Sequence, residues 1–181
     1  SMIDAYKSLI EAVNHGGLAN KVKITIKWID SELIEDKNLD IKNIFKDING
    51  IIVPGGFGKR GSEGKIKSIN FARLNNIPFF GICFGMQMAV LEFARNVLKL
   101  EDASSSEFGK TNLSLIGLLT EWQTKTGLEK RSEDSNLGGT MRLGAYDCKL
   151  VEKSFVKSIY KKNIISERHR HRWEVNNKFV K

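Results

Sequence analysis

The chain has 181 residues, 41% of them hydrophobic and 28% charged, which suits one soluble domain with a single sizeable core. No apolar run approaches the roughly 20 residues of a membrane span, and no basic-then-apolar leader opens the sequence. Two cysteines, Cys83 and Cys148, are too few for a disulfide framework, so a reducing cytoplasm is the expected setting and no metal site is expected. The net charge of +8 would suit nucleic acid, yet the lysines are spread along the chain and read as a solvated surface. Neither nucleic acid nor membrane is therefore an expected partner.

In chain order, Ser1-Met2 reads as an expression scar and residues 3–181 as the domain. Asp4 is placed to cap a helix whose apolar positions Tyr6, Leu9, Ile10 and Val13 follow helical spacing, with Gly16-Gly17 ending it. Residues 22–29 alternate and predict a strand that buries Val22, Ile24, Ile26 and Trp28. A short helix is predicted from Asp40 to Phe45. Gly50 to Val53, apolar on both faces, predicts a central strand of a parallel sheet.

The order then repeats. Residues 64–75 predict a helix, Ile77 to Ile82 a second buried strand, and Phe84 to Leu98 an amphipathic helix. Its apolar stripe is Met86, Ala89, Val90, Phe93, Ala94, Val97 and Leu98, with Gln87, Glu92, Arg95 and Lys99 elsewhere. Strands alternating with helices predict an α/β domain, three-layered around a mostly parallel sheet. After residue 112 the texture becomes antiparallel, with strands over Leu115 to Leu119 and near Met141 to Leu150, and an extended segment over 164–176.

The sharpest local pattern is Gly81-Ile-Cys-Phe-Gly85, set between a strand and a helix. It is a nucleophile elbow with cysteine at the bend. A strand turning directly into a helix strains the residue between them, and flanking glycines relieve the clashes. The nucleophile then stands above the carboxyl ends of the strands, and the helix N-terminus favours thiolate over thiol. One βα unit earlier, Pro54-Gly-Gly-Phe-Gly58 forms a glycine turn at a strand's carboxyl end. Its N–H groups, with that of Phe84, can form an oxyanion hole. No Gly-Lys-Ser/Thr follows, so it is not a phosphate-binding P-loop.

Val53 to Gly58 together with Gly81 to Gln87 resembles the class I glutamine amidotransferases. Further stretches narrow the resemblance to the amidotransferase domain of CTP synthases: Asp4 to Ser8, Thr120-Glu-Trp122, Leu137 to Gly144, and Glu167 to Arg172 with Glu174 to Asn177. The resemblance covers almost the whole chain. It implies a flavodoxin-like amidotransferase fold. It also implies that Cys83 attacks the side-chain amide of L-glutamine, releasing ammonia and leaving a glutamyl thioester that water cleaves. Gly56 and Phe84 would line the oxyanion site, and Gln87, Glu107 and Arg172 would complete the glutamine site. A zwitterionic amino acid needs an anion for its ammonium and a cation for its carboxylate, which Glu107 and Arg172 can supply. In the whole enzyme the ammonia passes to a synthetase domain that aminates ATP-phosphorylated UTP. There the resemblance implies ATP and Mg2+, a GTP effector linked to Leu137 to Gly144 and Arg131, and a homotetramer. No cofactor is implied for the amidotransferase domain itself.

In the run Arg168 to Arg172, an extended chain puts Arg168, Arg170 and Arg172 on one face and His169, His171 and Trp173 on the other. Substrate recognition and ion pairing suit so short a run better than nucleic acid. The resemblance also implies a His-Pro-Glu segment supplying the general base, yet Pro54 and Pro78 are the only prolines and neither follows a histidine. His15, His169 and His171 are poor substitutes by position. Opening and closing strands of the family and the synthetase domain are also missing, so an incomplete copy of the domain is expected. Two alternatives stand beside this reading. A different elbow hydrolase has no reason to carry Leu137 to Gly144, and an inert glutamine-binding or regulatory module would explain the missing base.

Overall fold

The computed structural model describes residues 2–118, 121–124, 127–130 and 141–179, with side chains omitted for 2–3, 121–124, 127–130 and 177. Two compact units divide the chain, residues 1–30 and 31–181.

In the first unit, α1 (Met2–Ala5) and α2 (Lys7–Ala19) meet at Tyr6, which occupies the N-terminal position of α2 in place of the expected Asp4. Tyr6, Leu9, Ile10 and Val13 form the half-buried stripe that their spacing predicts. The helix continues through Gly16-Gly17 and stops at Asn20, whose N–H and side-chain amide both donate to the Gly16 carbonyl. Gly17 is needed for another reason. A Cβ there would lie 2.6 Å from Ile24 and 3.0 Å from the Val22 carbonyl, because the chain folds back against the helix. Residues 22–29 do not form the expected strand, and Val22, Ile24, Ile26 and Trp28 are exposed. Alternation makes a strand only where a neighbour offers ladder partners, and none does so among the described residues.

The second unit opens with a 3-10 turn (Leu33–Glu35) and α3 (Ile41–Ile44), within the predicted short helix and capped by Asp40, whose carboxylate accepts the Lys42 N–H. Parallel strands β1 (Ile51–Val53) and β2 (Phe79–Gly81) pair residue by residue, and each leads into a helix, α4 (Ser62–Leu74) and α5 (Phe84–Asn96). This is the expected βαβα order of an α/β fold, with parallel strands and flanking helices. The two strands are not buried on both faces, since Ile52 and its partner Phe80 are exposed while Ile51 and Val53 are buried. Next come β3 (Ala103–Ser105), a 3-10 turn (Ser106–Phe108) and β4 (Leu113–Leu118), with β3 and β4 parallel.

The antiparallel character predicted after residue 112 is present. Antiparallel pairs join β5 (Glu121–Thr124) with β6 (Gly127–Lys130), and β7 (Arg142–Lys149) with β8 (Ile164–His171), while β9 (Trp173–Val175) lies antiparallel to β4. A short helix, α6 (Phe155–Tyr160), links β7 to β8 and was not evident from the sequence. Arg131 and Leu137 to Thr140, like Thr120, fall outside the described residues. Among the described residues no helix is long and apolar enough to cross a membrane.

The core gathers on α5, but not along the expected stripe. Phe84, Met88, Leu91 and Ala94 are buried, whereas Met86, Phe93, Val97 and Leu98 are exposed. Each large buried side chain contributes about 1.5–3 kcal/mol. Gln87 and Glu92, expected elsewhere, lie on the buried face. Glu92 can be there because its carboxylate accepts hydrogen bonds from Arg73, Asn70 and Asn96 at 2.8–3.2 Å, which fastens α4 to α5. Burial raises its pKa, but those three donors and the Arg73 charge outweigh it, and the carboxyl sits below its ordinary value. A depressed folded value stabilises the fold above the unfolded carboxylate value, and the benefit is lost as pH falls through the depressed one. Glu92→Gln is therefore expected to lower stability by about 1.5–3 kcal/mol at pH 7. In urea titrations its gap from wild type should shrink below pH 4.5; a gap constant between pH 7 and pH 3.5 would contradict the ion-pair account.

Candidate active site

Cys83 occupies the bend between β2 and α5 with φ 52° and ψ −103°, a conformation that L-residues rarely adopt. The cause is the close approach of three backbone segments. The Ile82 N–H donates to the Val53 carbonyl at 2.9 Å, and the Gly85 N–H donates back to Ile82 at 2.9 Å. A Cβ on Gly85 would stand 2.0 Å from the Val53 carbonyl oxygen, and one on Gly81 would stand 2.6 Å from Gly85. Both glycines are thus sterically required, as the elbow pattern predicts. The helix can begin with only Ile82 and Cys83 between it and the strand because its first turn rests directly on β1.

The glycine turn after β1 lies against this bend. A Cβ on Gly55 would come within 3.7 Å of the Cys83 Cβ, and one on Gly56 within 3.8 Å of the Phe84 ring. Since β1 and β2 are parallel neighbours, their carboxyl ends deliver the glycine turn and Cys83 to the same edge. Gly58, at φ +82°, donates its N–H to Glu107 Oε1 at 2.7 Å. Glu107 stands on the 3-10 turn after β3, its own N–H donating to the capping Ser105 hydroxyl, and the neighbouring Phe108 ring meets Phe84 edge-on at 6.2 Å. Gly56, Cys83 and Phe84 therefore lie together, and Glu107 is joined to them through Gly58 and Phe108.

Gln87, 4% exposed, donates its side-chain N–H to the Trp173 carbonyl at 2.7 Å. That bond links the elbow helix to β9, next to Arg172. Arg172 is half-buried in the break between β8 and β9, and its Nε has no partner among the described residues. The predicted face alternation holds along β8, where His169 and His171 are half-buried and Arg168 and Arg170 exposed. His169 Nδ1 and His171 Nε2 lie 2.9 Å apart. Glu174 accepts from Arg142 at 2.8 Å and lies 3.6 Å from His171. Burial pushes both histidines below the ordinary imidazole value. Neither of these two histidines hydrogen-bonds Cys83 among the described residues. A surface cleft of about 550 Å³ between residues 34–42 and the outer faces of α4 and α5 contains none of the predicted residues.

The helix N-terminus favours thiolate through the Phe84 N–H, as expected, but it does not decide the balance. Burial pushes the Cys83 thiol up, the Phe84 N–H pulls it down, Glu107 pushes it up again, and the balance lies above the ordinary thiol value. Sequence reading missed the Glu107–Gly58 bond and the Gln87–Trp173 bond. No local pattern signals a contact between residues 49 or 86 positions apart.

A strained cysteine at a strand-to-helix bend, with a glycine turn beside it, defines an elbow-type site, and the family model for class-I glutamine amidotransferases matches residues 1–181. The chain belongs to that family. Its curated relatives include the CTP synthases of Rhodopseudomonas palustris, 60% identical over 176 residues, and Parvibaculum lavamentivorans, 59% identical over 173 residues. These alignments cover 97% and 96% of this chain but 32% of each relative's length. A solved Trypanosoma brucei CTPS glutaminase domain with bound acivicin superposes with TM-score 0.82 at 40% identity, over 97% of this chain and 64% of that one.

Backbone strain at Cys83 is measurable by substitution. Cys83→Gly should be more stable than Cys83→Ala by about 1 kcal/mol, because strain of about 1–3 kcal/mol at such a conformation exceeds glycine's entropic cost. Urea midpoints of the two variants would show it, and a more stable alanine variant would mean that the bend is unstrained.

Proposed function

We propose that this chain is the glutamine-hydrolysing part of a CTP synthase, with Cys83 as nucleophile. The observation that carries the reading is the strained Cys83 held beside the backbone of Gly55, with Gly56 beside Phe84. The likeness to CTP synthases along nearly the whole chain, and to a glutaminase domain that holds acivicin, supports it.

In this reading L-glutamine binds with its ammonium at Glu107 and its carboxylate at Arg172. The Cys83 thiolate adds to the side-chain carbonyl, and the negative oxygen is held by the N–H groups of Gly56 and Phe84. Collapse expels the amide nitrogen, which takes up a proton and leaves as ammonia, and the acyl group remains as a thioester. Water then cleaves the thioester to glutamate and restores the thiol. Gln87 supports the site by holding β9 through the Trp173 carbonyl. In the whole protein, ATP, Mg2+ and UTP would act in a synthetase domain, GTP would act as effector, and the assembly would be a homotetramer.

A second reading is favoured by one observation: the thiol lies above its ordinary value and neither His169 nor His171 bonds it among the described residues. Residues 1–181 would then bind glutamine, as a binding or regulatory module, without turning it over efficiently. Incubation with 6-diazo-5-oxo-norleucine separates the two. The active reading expects one covalent adduct on Cys83, absent in Cys83→Ala; an unmodified wild-type chain favours the inert module.

Arg172→Ala tests the substrate assignment. Loss of a charge-assisted contact should weaken glutamine binding by roughly 10- to 100-fold, with the thermal midpoint little changed. Unaltered affinity, measured by calorimetry, would remove Arg172 from the site.

A further inference from the structure

We infer that Glu107 is a positioning residue for the glycine turn, fixing Pro54 to Gly58 against the elbow by accepting the Gly58 N–H. What the turn does once fixed rests on the glutaminase reading above; the positioning itself does not.

The turn's own side chains do little to fix it. Three of its five residues are glycines, which lose the most conformational freedom on ordering. Phe57, its one large side chain, is 87% exposed and so anchors it poorly. Gly58 has φ +82° and a Cβ there would meet nothing within 4 Å, so no steric contact selects that conformation. The bond from Gly58 to Glu107, at 2.7 Å, spans 49 residues of sequence and is charge-assisted.

Glu107 is well placed to be the fixed end. Ser105, fully buried at the end of β3, caps the 3-10 turn through its hydroxyl and accepts the Glu107 N–H at 3.2 Å. Ala103, two residues earlier, is also fully buried, and its carbonyl accepts from Arg95 of α5 at 2.6 Å. Phe108, the next residue, packs edge-on against Phe84, the first residue of α5. The segment bearing Glu107 is thus tied to α5 at two points and reaches across to Gly58 at a third. Gly55 and Gly56 lie between, with their backbone against Cys83 and Phe84. A donor that must meet a negative oxygen within a few tenths of an ångström needs this kind of second support.

The test uses the full chain with exposed Cys148 changed to Ser, so that Cys83 is the one thiol. Two reagents without an α-ammonium are compared at one pH. p-Nitrophenyl acetate acylates the thiolate through a tetrahedral oxyanion, expelling p-nitrophenolate. Iodoacetamide alkylates it by displacing iodide, with no oxyanion. The ratio of the two rates cancels changes in thiolate fraction and access, with Cys83→Ser as the background. Glu107→Ala should lower this ratio by roughly 10- to 100-fold. Glu107→Gln keeps a carbonyl acceptor for Gly58 and should retain the ratio within about threefold, while losing glutamine affinity with its charge.

An unchanged ratio in Glu107→Ala would overturn the inference, as would an equal fall in Glu107→Gln. If wild-type acylation is too slow to follow, amide exchange at Gly58 decides. Exchange should quicken by about tenfold or more in Glu107→Ala but not in Glu107→Gln, and equal rates in all three would refute the tether. Failure to label Cys83 with 6-diazo-5-oxo-norleucine would count against the glutaminase reading alone, because neither measurement here depends on glutamine.

Discussion

The site depends on one steric constraint: the first turn of α5 lies directly on the carbonyl of Val53. That contact leaves no room for a side chain at residue 85, and the same crowding excludes one at residue 81. With both ends of the bend so confined, the chain has one way to pass from β2 into α5, and Cys83 takes the positive φ that this passage demands. Parallel pairing of β1 with β2 then brings the glycine turn to the cysteine without any further element. Strain at residue 83 is tolerated because buried Phe84, Met88 and Leu91 each contribute about as much as the bend costs.

Two polar side chains on the buried face of α5 extend this constraint through the second unit. Glu92 holds α4 through a bidentate contact with Arg73, and Gln87 holds the backbone of β9 beside Arg172. Hydrogen bonds of this kind contribute only about 1 kcal/mol net, rising to about 3 when one partner is charged, so they add modestly to stability. Their geometric effect is larger. The cysteine bend, the glycine turn and the β9 segment all refer to one helix, and the Glu107 segment joins that helix again through Phe108 and Arg95.

Much of this arrangement was legible because its signals are local. The elbow could be read from two glycines, a cysteine and the change from strand to helix period, all within a few residues. The short helix after Asp40 and the face alternation of β8 were readable for the same reason. What failed needed distant partners. The strand expected over 22–29 lacks a ladder neighbour among the described residues, and Ile52 and Phe80 are exposed although their sequence suits a buried strand. The α5 stripe was misjudged because apolar residues occur all round that helix. The buried face was decided by where Arg73, Asn70, Asn96 and the Trp173 carbonyl could satisfy Glu92 and Gln87.

The charge balance at Cys83 follows the same logic of local against distant. From sequence, the only visible electrostatic influence on the thiol is the helix it precedes, worth about 0.3–1 kcal/mol at an exposed helix end. The fold adds burial and the Glu107 carboxylate, both of which favour the protonated form, and together they outweigh the Phe84 N–H. Glu107 is thus opposed in its two effects. Its hydrogen bond to Gly58 supports the turn beside Cys83, while its negative charge holds the thiol in its less reactive form. A cation paired with Glu107 would weaken the second effect and leave the first intact, since a carboxylate can accept from more than one donor. The ammonium of an amino acid is such a cation, so in the glutaminase reading proposed above occupancy of the site and readiness of the sulfur would be linked through one side chain.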